Sequence, residues 1–254
     1  MPEAAALGAT LALALCGWAW SCARRNVNVV DSLWALFFVA AAAVHAATAA
    51  ATGPRAALLL LLVALWAARL STYLAARNHG KAEDRRYQAI RARNEPGFGW
   101  KSLYLVFGLQ ALLAWIIAFP LFAAIESPAP LNALDAAGVA LFAFGLAFEA
   151  VADWQLARFK AVAANAGRVM DRGLWRYTRH PNYFGEACVW WGIWLIAAAA
   201  GAWWTLFAPL LMSFLLLKVS GVALLEHDMV ERRPAYRQYV ARTNAFFPGP
   251  RRPV

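Results

Sequence analysis

Charge is scarce in this chain. Asp, Glu, Lys and Arg make up 15% of its 254 residues, against about 25% in ordinary soluble domains. The shortage excludes a disordered chain and a soluble nucleic-acid module. Cysteine is scarce too. Cys16, Cys22 and Cys188 fall in no ligand spacing, so they read as reduced structural thiols and no metal is expected. There is no Gly-x-Gly-x-x-Gly turn, no internal repeat and no low-complexity tail. Nor does a basic segment precede the first apolar stretch. Arg24 and Arg25 follow it instead, so that stretch reads as a retained helix rather than a signal peptide.

Apolar residues are what remains. The hydrophobic set reaches 62%, with 13 Trp and 15 Phe, and the mean hydropathy is +0.50. Stretches near the 20 or so residues that cross a bilayer as a helix fall at about 4–22, 29–51, 56–76, 102–125, 134–157, 183–200 and 202–222. The expected fold is therefore all-α, a polytopic membrane protein of seven transmembrane helices. It is expected to form one domain over 1–254, with the first three helices and the basic loop after them in 1–101 and the other four helices in 102–254.

The net charge of +10 comes from 24 basic against 14 acidic residues. With the N-terminus outside and the C-terminus in the cytoplasm, seven helices put every Lys and Arg except Arg55 at the cytoplasmic end. That reading needs no nucleic-acid partner. The other face has only short connections, such as Ser127-Pro128-Ala129-Pro130. Chemistry is expected on the cytoplasmic side.

Ionisable residues inside spans are costly and mark function. Asp31 opens the second span, Arg69 and Tyr73 share a face of the third, Glu149 and Asp153 share a face of the fifth, and Glu186 lies early in the sixth. Snorkelling and ion pairing at helix ends explain Asp31 and Lys218 more readily than Glu149, Asp153 and Glu186, whose side chains are too short to snorkel far. His45 and His79 stand alone and receive no role. Between the fifth and sixth spans, 167–186 concentrates Arg168, Arg172, Arg176, Arg179, Tyr177, His180, Asn182 and Tyr183, with Pro181 near a helix start. Arginine forks and a helix N-terminus suit phosphate, and a lipid headgroup is the plainer occupant of the same charges.

Arg179-His180-Pro181-Asn182-Tyr183 with Gly185-Glu186 resembles the C-terminal signature of steroid 5-alpha-reductases, their bacterial relatives and membrane sterol reductases; isoprenylcysteine carboxyl methyltransferases carry a related form. The likeness extends through Asp153-Trp154-Gln155-Leu156, Lys160, Arg168, Gly173-Leu174-Trp175-Arg176-Tyr177 and the tail from Glu226 through Arg232-Arg233 to Tyr236. Against the bacterial group it includes Asp31-Ser32-Leu33-Trp34 and Asn78 to Asp84, nearly the whole chain.

The resemblance implies NADPH held by Arg69, Asp153, Lys160, Arg168, Arg176, Tyr177, Arg179, His180, Asn182, Tyr183, Glu186, Lys218, Glu226, Arg232, Arg233 and Tyr236. It implies hydride transfer to the β-carbon of an apolar enone, steroid or other lipid, entering a monomer from the bilayer past Trp34 and Trp66. Charge developing on the carbonyl oxygen needs a polarising group. The family's acid and Tyr positions correspond here to Asp31 and to the neighbourhood of Trp66. The expected set is a protonated Asp31 assisted by Tyr73 or Tyr87. A membrane methyltransferase using S-adenosylmethionine is the first alternative, but Glu226 is followed by His227 where that family carries a double Glu. A transporter is the second, and would call for inverted repeats.

Overall fold

The computed structural model describes residues 1–219 and 234–252. These residues form helices and connecting loops, with one isolated bridge between Thr178 and Asn244 and no strand. Five helical stretches are long and apolar enough to cross a membrane: Pro2–Arg24, Val29–Thr48, Arg55–Asn78, Phe98–Ile117 and Ala133–Ala161. They are consistent with a multi-pass membrane protein. The sixth expected span is the helix Pro181–Ala199, whose hydropathy is lowered by Asn182, Glu186 and its tryptophans. The seventh is a shorter apolar stretch, Trp203–Lys218.

The chain divides into two compact units. The first holds Met1–Leu131 with Ala200–Ala202, and the second Asn132–Ala199 with Trp203–Val254. The fourth apolar stretch packs on the first helices and belongs with them.

In the first unit, α1 (Pro2–Arg24), α2 (Val29–Thr48) and α3 (Arg55–Asn78) follow one another through short turns, α2 packing on both neighbours. The turn after α1 is closed by Arg25 in a left-handed conformation, its N–H bonding back to Ser21 and Cys22 carbonyls. Alanines let the helices approach, and Phe37, Phe38, Leu59 and Trp66 fill the core with no exposed surface. A short polar helix, α4 (Arg85–Asn94), follows α3 and is capped by the Asp84 carboxylate on Arg86 N–H. From sequence alone this segment reads as loop, because its apolar face is too narrow to stand out.

Helix α5 (Phe98–Ser102) continues through a π-helical segment, Leu103–Gly108, into α6 (Leu109–Ile117). The expected fourth span, 102–125, does not run through. It breaks at Ala118, and α7 (Phe119–Glu126) starts anew with Pro120 in its first turn, since proline lacks the N–H a continuous helix needs. Arg55, the lone cation placed on the outer side, is fully buried. Its fork donates to the Ala129 and Pro130 carbonyls at 2.6 and 2.9 Å, so it clamps the turn after α7.

In the second unit, α8 (Ala133–Ala161) packs antiparallel on α9 (Pro181–Ala199). Each helix carries two glycines seven residues apart, and they meet crosswise. A methyl on Gly138 would come within 2.7 Å of the Gly192 carbonyl oxygen, and one on Gly145 within 2.5 Å of the Gly185 carbonyl oxygen. Only glycine permits this approach, the close-packing device of membrane helices. A 3-10 turn (Trp203–Leu206), α10 (Phe207–Phe214) and a π-helical turn (Leu215–Val219) follow. The described C-terminal segment adds α11 (Pro234–Arg242).

Candidate functional site

The first unit gathers polar residues where α2 begins and α3 ends. Tyr87 Oη donates to Asp31 Oδ1 at 2.6 Å. Arg77 and Arg86 reach Asp31 Oδ2 at 3.4 and 3.3 Å. Arg86 Nε also donates to Asp84 Oδ1 at 3.0 Å, and Asn28 accepts from Asp84 N–H at 2.7 Å. Beside this, Arg91 grips Glu83 through two bonds of 2.9 and 2.8 Å, and Glu83 accepts from Val27 N–H at 3.0 Å. Burial opposes ionisation of Glu83, but the Arg91 and Val27 donors outweigh it and hold its pKa below the ordinary value. Burial pushes the Tyr87 phenol well above its ordinary pKa, with the Asp31 carboxylate adding to the shift.

Of the three catalytic candidates, then, Asp31 and Tyr87 are brought together. In this arrangement Asp31 accepts from Tyr87, Arg77 and Arg86, where the sequence led us to expect it to donate. Tyr73 is half-buried beside Arg69, whose guanidinium lies 5.5 Å from the ring centroid. Trp66, expected at the substrate, is a core residue with no exposed surface, edge-on to Phe38 at 5.5 Å. Phe38 in turn meets the half-buried Trp34 at 5.2 Å.

The second unit has its own cluster at the end of α8 and the start of α9. Glu149, Asp153 and Glu186 are 2%, 3% and 7% exposed. Asn182 Nδ2 donates to Asp153 Oδ1 at 3.2 Å. The glycine seam sets this end: a methyl on Gly185 would lie 2.7 Å from Glu149 N, so the two acidic helix ends run side by side. His180 stacks parallel on Tyr183 at 5.5 Å.

The loop between the helices is braced rather than loose. Gly173, at φ 57°, lies against Gln155, whose Oε1 accepts from Leu174 N–H at 3.0 Å. Trp175 Nε1 donates to the Ala152 carbonyl at 3.0 Å. The C-terminal segment closes over the loop: Arg179 N–H bonds the Asn244 carbonyl at 2.9 Å, and Thr178 Oγ1 bonds the Phe246 carbonyl at 2.8 Å. Arg251 pairs with Asp171 at 2.9 Å.

Two expected cofactor ligands are buried. Arg179 is buried and donates to the Val240 and Thr243 carbonyls, completing the end of α11. Tyr236 is buried against Tyr239 at a ring distance of 5.6 Å. Lys160, Arg168, Arg176 and Tyr177 are exposed, as is Lys218 in its π-helical turn. Glu226, Arg232 and Arg233 lie outside the described residues. Buried charge in the sequence points to Asp31, Asp153 and Glu186 but not to Arg77, Arg86 and Asp84, whose signal is the acid pair Glu83-Asp84 flanked by Arg77, Lys81, Arg85, Arg86 and Arg91.

Comparison with known proteins matches residues 17–243 to the family described as "Protein of unknown function (DUF1295)". The chain belongs to that family. A relative from Schizosaccharomyces pombe, described as an uncharacterized protein, is 27% identical over 264 residues, covering 91% of this chain and 75% of its own length. No solved structure matches.

Proposed function

We propose that this DUF1295 chain is a membrane reductase of the steroid 5-alpha-reductase type that uses NADPH to saturate the double bond of an apolar enone. The observation that carries the reading is the buried set Glu149, Asp153, Asn182 and Glu186 beside a braced loop. Carboxylates too short to reach water from inside an apolar helix pair are retained for function. The donor set fits a dinucleotide phosphate. Exposed Lys160, Arg168 and Arg176 offer cations to phosphates, and Asp153 and Glu186 offer acceptors to ribose hydroxyls or a carboxamide.

NADPH, when bound, supplies the hydride. The remaining need is a group that stabilises charge on the substrate carbonyl oxygen. We assign that role to Tyr87, whose single hydroxyl proton turns from Asp31 to the substrate oxygen on binding, while Arg77 and Arg86 hold the Asp31 carboxylate. The reading includes seven spans with the N-terminus outside, the C-terminus and active site cytoplasmic, and a lipophilic substrate entering from the bilayer of a bacterial inner membrane. The distribution of basic residues supports it.

The deciding experiment identifies the nucleotide bound by the full chain in mild detergent. NADPH binding, lost in Glu186→Ala and weakened more than NADH binding in an Arg168→Ala variant, supports the reductase. Tight binding of S-adenosylmethionine without NADPH binding would replace it with the methyltransferase reading.

A further inference from the structure

His45 received no role in the sequence, yet the fold gives it unusual company. It lies near the C-terminal end of α2, at the opposite end from Asp31, and has no exposed surface. Its ring is stacked on Phe122 of α7 at 4.3 Å and 15°. Two carboxylates converge on it from elements distant in sequence: Glu3 from the first turn of α1 and Glu126 from the end of α7. One donor atom from each of the three side chains lies within 4.8 Å of the others. His45 Nε2 is 3.0 Å from Glu126 Oε1. Neither ring nitrogen makes a hydrogen bond of acceptable geometry, although both are buried.

We propose that Glu3, His45 and Glu126 form a binding site for a divalent first-row transition metal ion of the Zn²⁺ class. The chemistry selects that class. One imidazole nitrogen and two carboxylate oxygens are a borderline-soft and hard mixture suited to Zn²⁺ or its neighbours, whereas Mg²⁺ and Ca²⁺ call for oxygen alone. Charge agrees, since two carboxylates beside a neutral imidazole sum to a dianion that a divalent ion neutralises. Donors bound to one tetrahedral ion at about 2.0–2.2 Å sit about 3.3 Å apart. The cluster needs a small contraction to reach that spacing, and Glu126, with its side chain 43% exposed, can rotate to provide it. The same exposure leaves room for water at the remaining positions, as in sites with three protein ligands.

The frame around the donors is already set. Trp115 Nε1 donates to the Glu3 carbonyl at 2.8 Å, tying the start of α1 to α6. Ala49 N–H bonds the His45 carbonyl at 2.9 Å, and Gly53 N–H bonds the Ile125 carbonyl at 2.7 Å, which fix the ends of α2 and α7. Three helices that meet only through tertiary packing thus present three ligands to one point. The inference rests on the first unit alone and stands independently of the reductase reading.

The test titrates the full chain, free of any affinity tag, in detergent with Zn²⁺ by calorimetry and with Co²⁺ by visible absorption. One ion per chain is expected, with affinity weakened more than about tenfold in His45→Gln and in Glu126→Gln and unchanged in His79→Gln. Glu126 is exposed, so its variant keeps the test decisive if His45→Gln fails to fold. Absence of a saturable site in the wild-type chain overturns the proposal, as does a site that keeps its affinity in Glu126→Gln.

Discussion

The most prominent contacts inside the two units differ in kind. In the first, charged side chains bond to charged side chains: Asp31 with Arg77 and Arg86, Glu83 with Arg91. In the second, α8 and α9 meet backbone to backbone through Gly138, Gly145, Gly185 and Gly192, and buried Arg179 grips carbonyls of the C-terminal segment. In the second unit Lys160, Arg168 and Arg176 lie at the surface, while Glu149, Asp153 and Glu186 are buried together.

The strongest way to break this contrast is at the seam. Gly145→Leu or Gly185→Leu drives a side chain into opposing backbone, which cannot rotate away. A loss of about 3 kcal/mol or more is expected, seen as a collapsed melting temperature or an aggregated peak on size exclusion. A wild-type melting temperature would mean that the helices do not meet as described.

Next is the charged network. Arg86→Leu leaves Asp31 and Asp84 short of a donor, both in a partly buried setting. About 2 kcal/mol of destabilisation is expected, toward the lower end for a broken pair because some water reaches both partners. The companion Asp31→Asn variant should keep nucleotide binding and lose turnover, which separates the first unit's role from the second's. Full turnover in Asp31→Asn would remove Asp31 and Tyr87 from the proposed chemistry.

A smaller effect belongs to Gln155→Ala, which frees Leu174 N–H and opens space beneath Gly173. About 1 kcal/mol is expected. The sharper readout is increased proteolysis of the 163–176 loop. Protection identical to wild type would show the loop is braced elsewhere.

The smallest effect is in acid. Glu83 has a lowered pKa in the folded chain, so its contribution is complete above its ordinary value of about 4.5 and is lost as pH falls through the folded value. Unfolding followed from pH 6 to pH 3 should show a steeper acid limb in wild type than in Glu83→Gln. Parallel limbs would mean the Arg91 pair adds nothing.

Much of the architecture was legible because hydropathy and charge are local properties. The apolar stretches at 4–22, 29–51, 56–76 and 134–157 all appear as helices to within a few residues. The fourth stretch misled because hydropathy continues across Ala118 while the hydrogen-bond ladder cannot pass Pro120. Asp31, Asp153 and Glu186 could be found as misplaced charges, but not their partners. The Asp31–Tyr87 bond joins residues far apart in sequence, and nothing in the spacing distinguishes Tyr87 from Tyr73.

The sequence by itself determined the helical class, the unsuitability of this surface for water, and the asymmetry of basic residues. Each is a sum over neighbouring residues. Which arginines are locked and which are exposed, which tryptophan is core, and which glutamates reach His45 were decided only when distant helices packed. A side chain's role depends on the atoms within about 4 Å of it, and in a helical bundle most of those come from another helix.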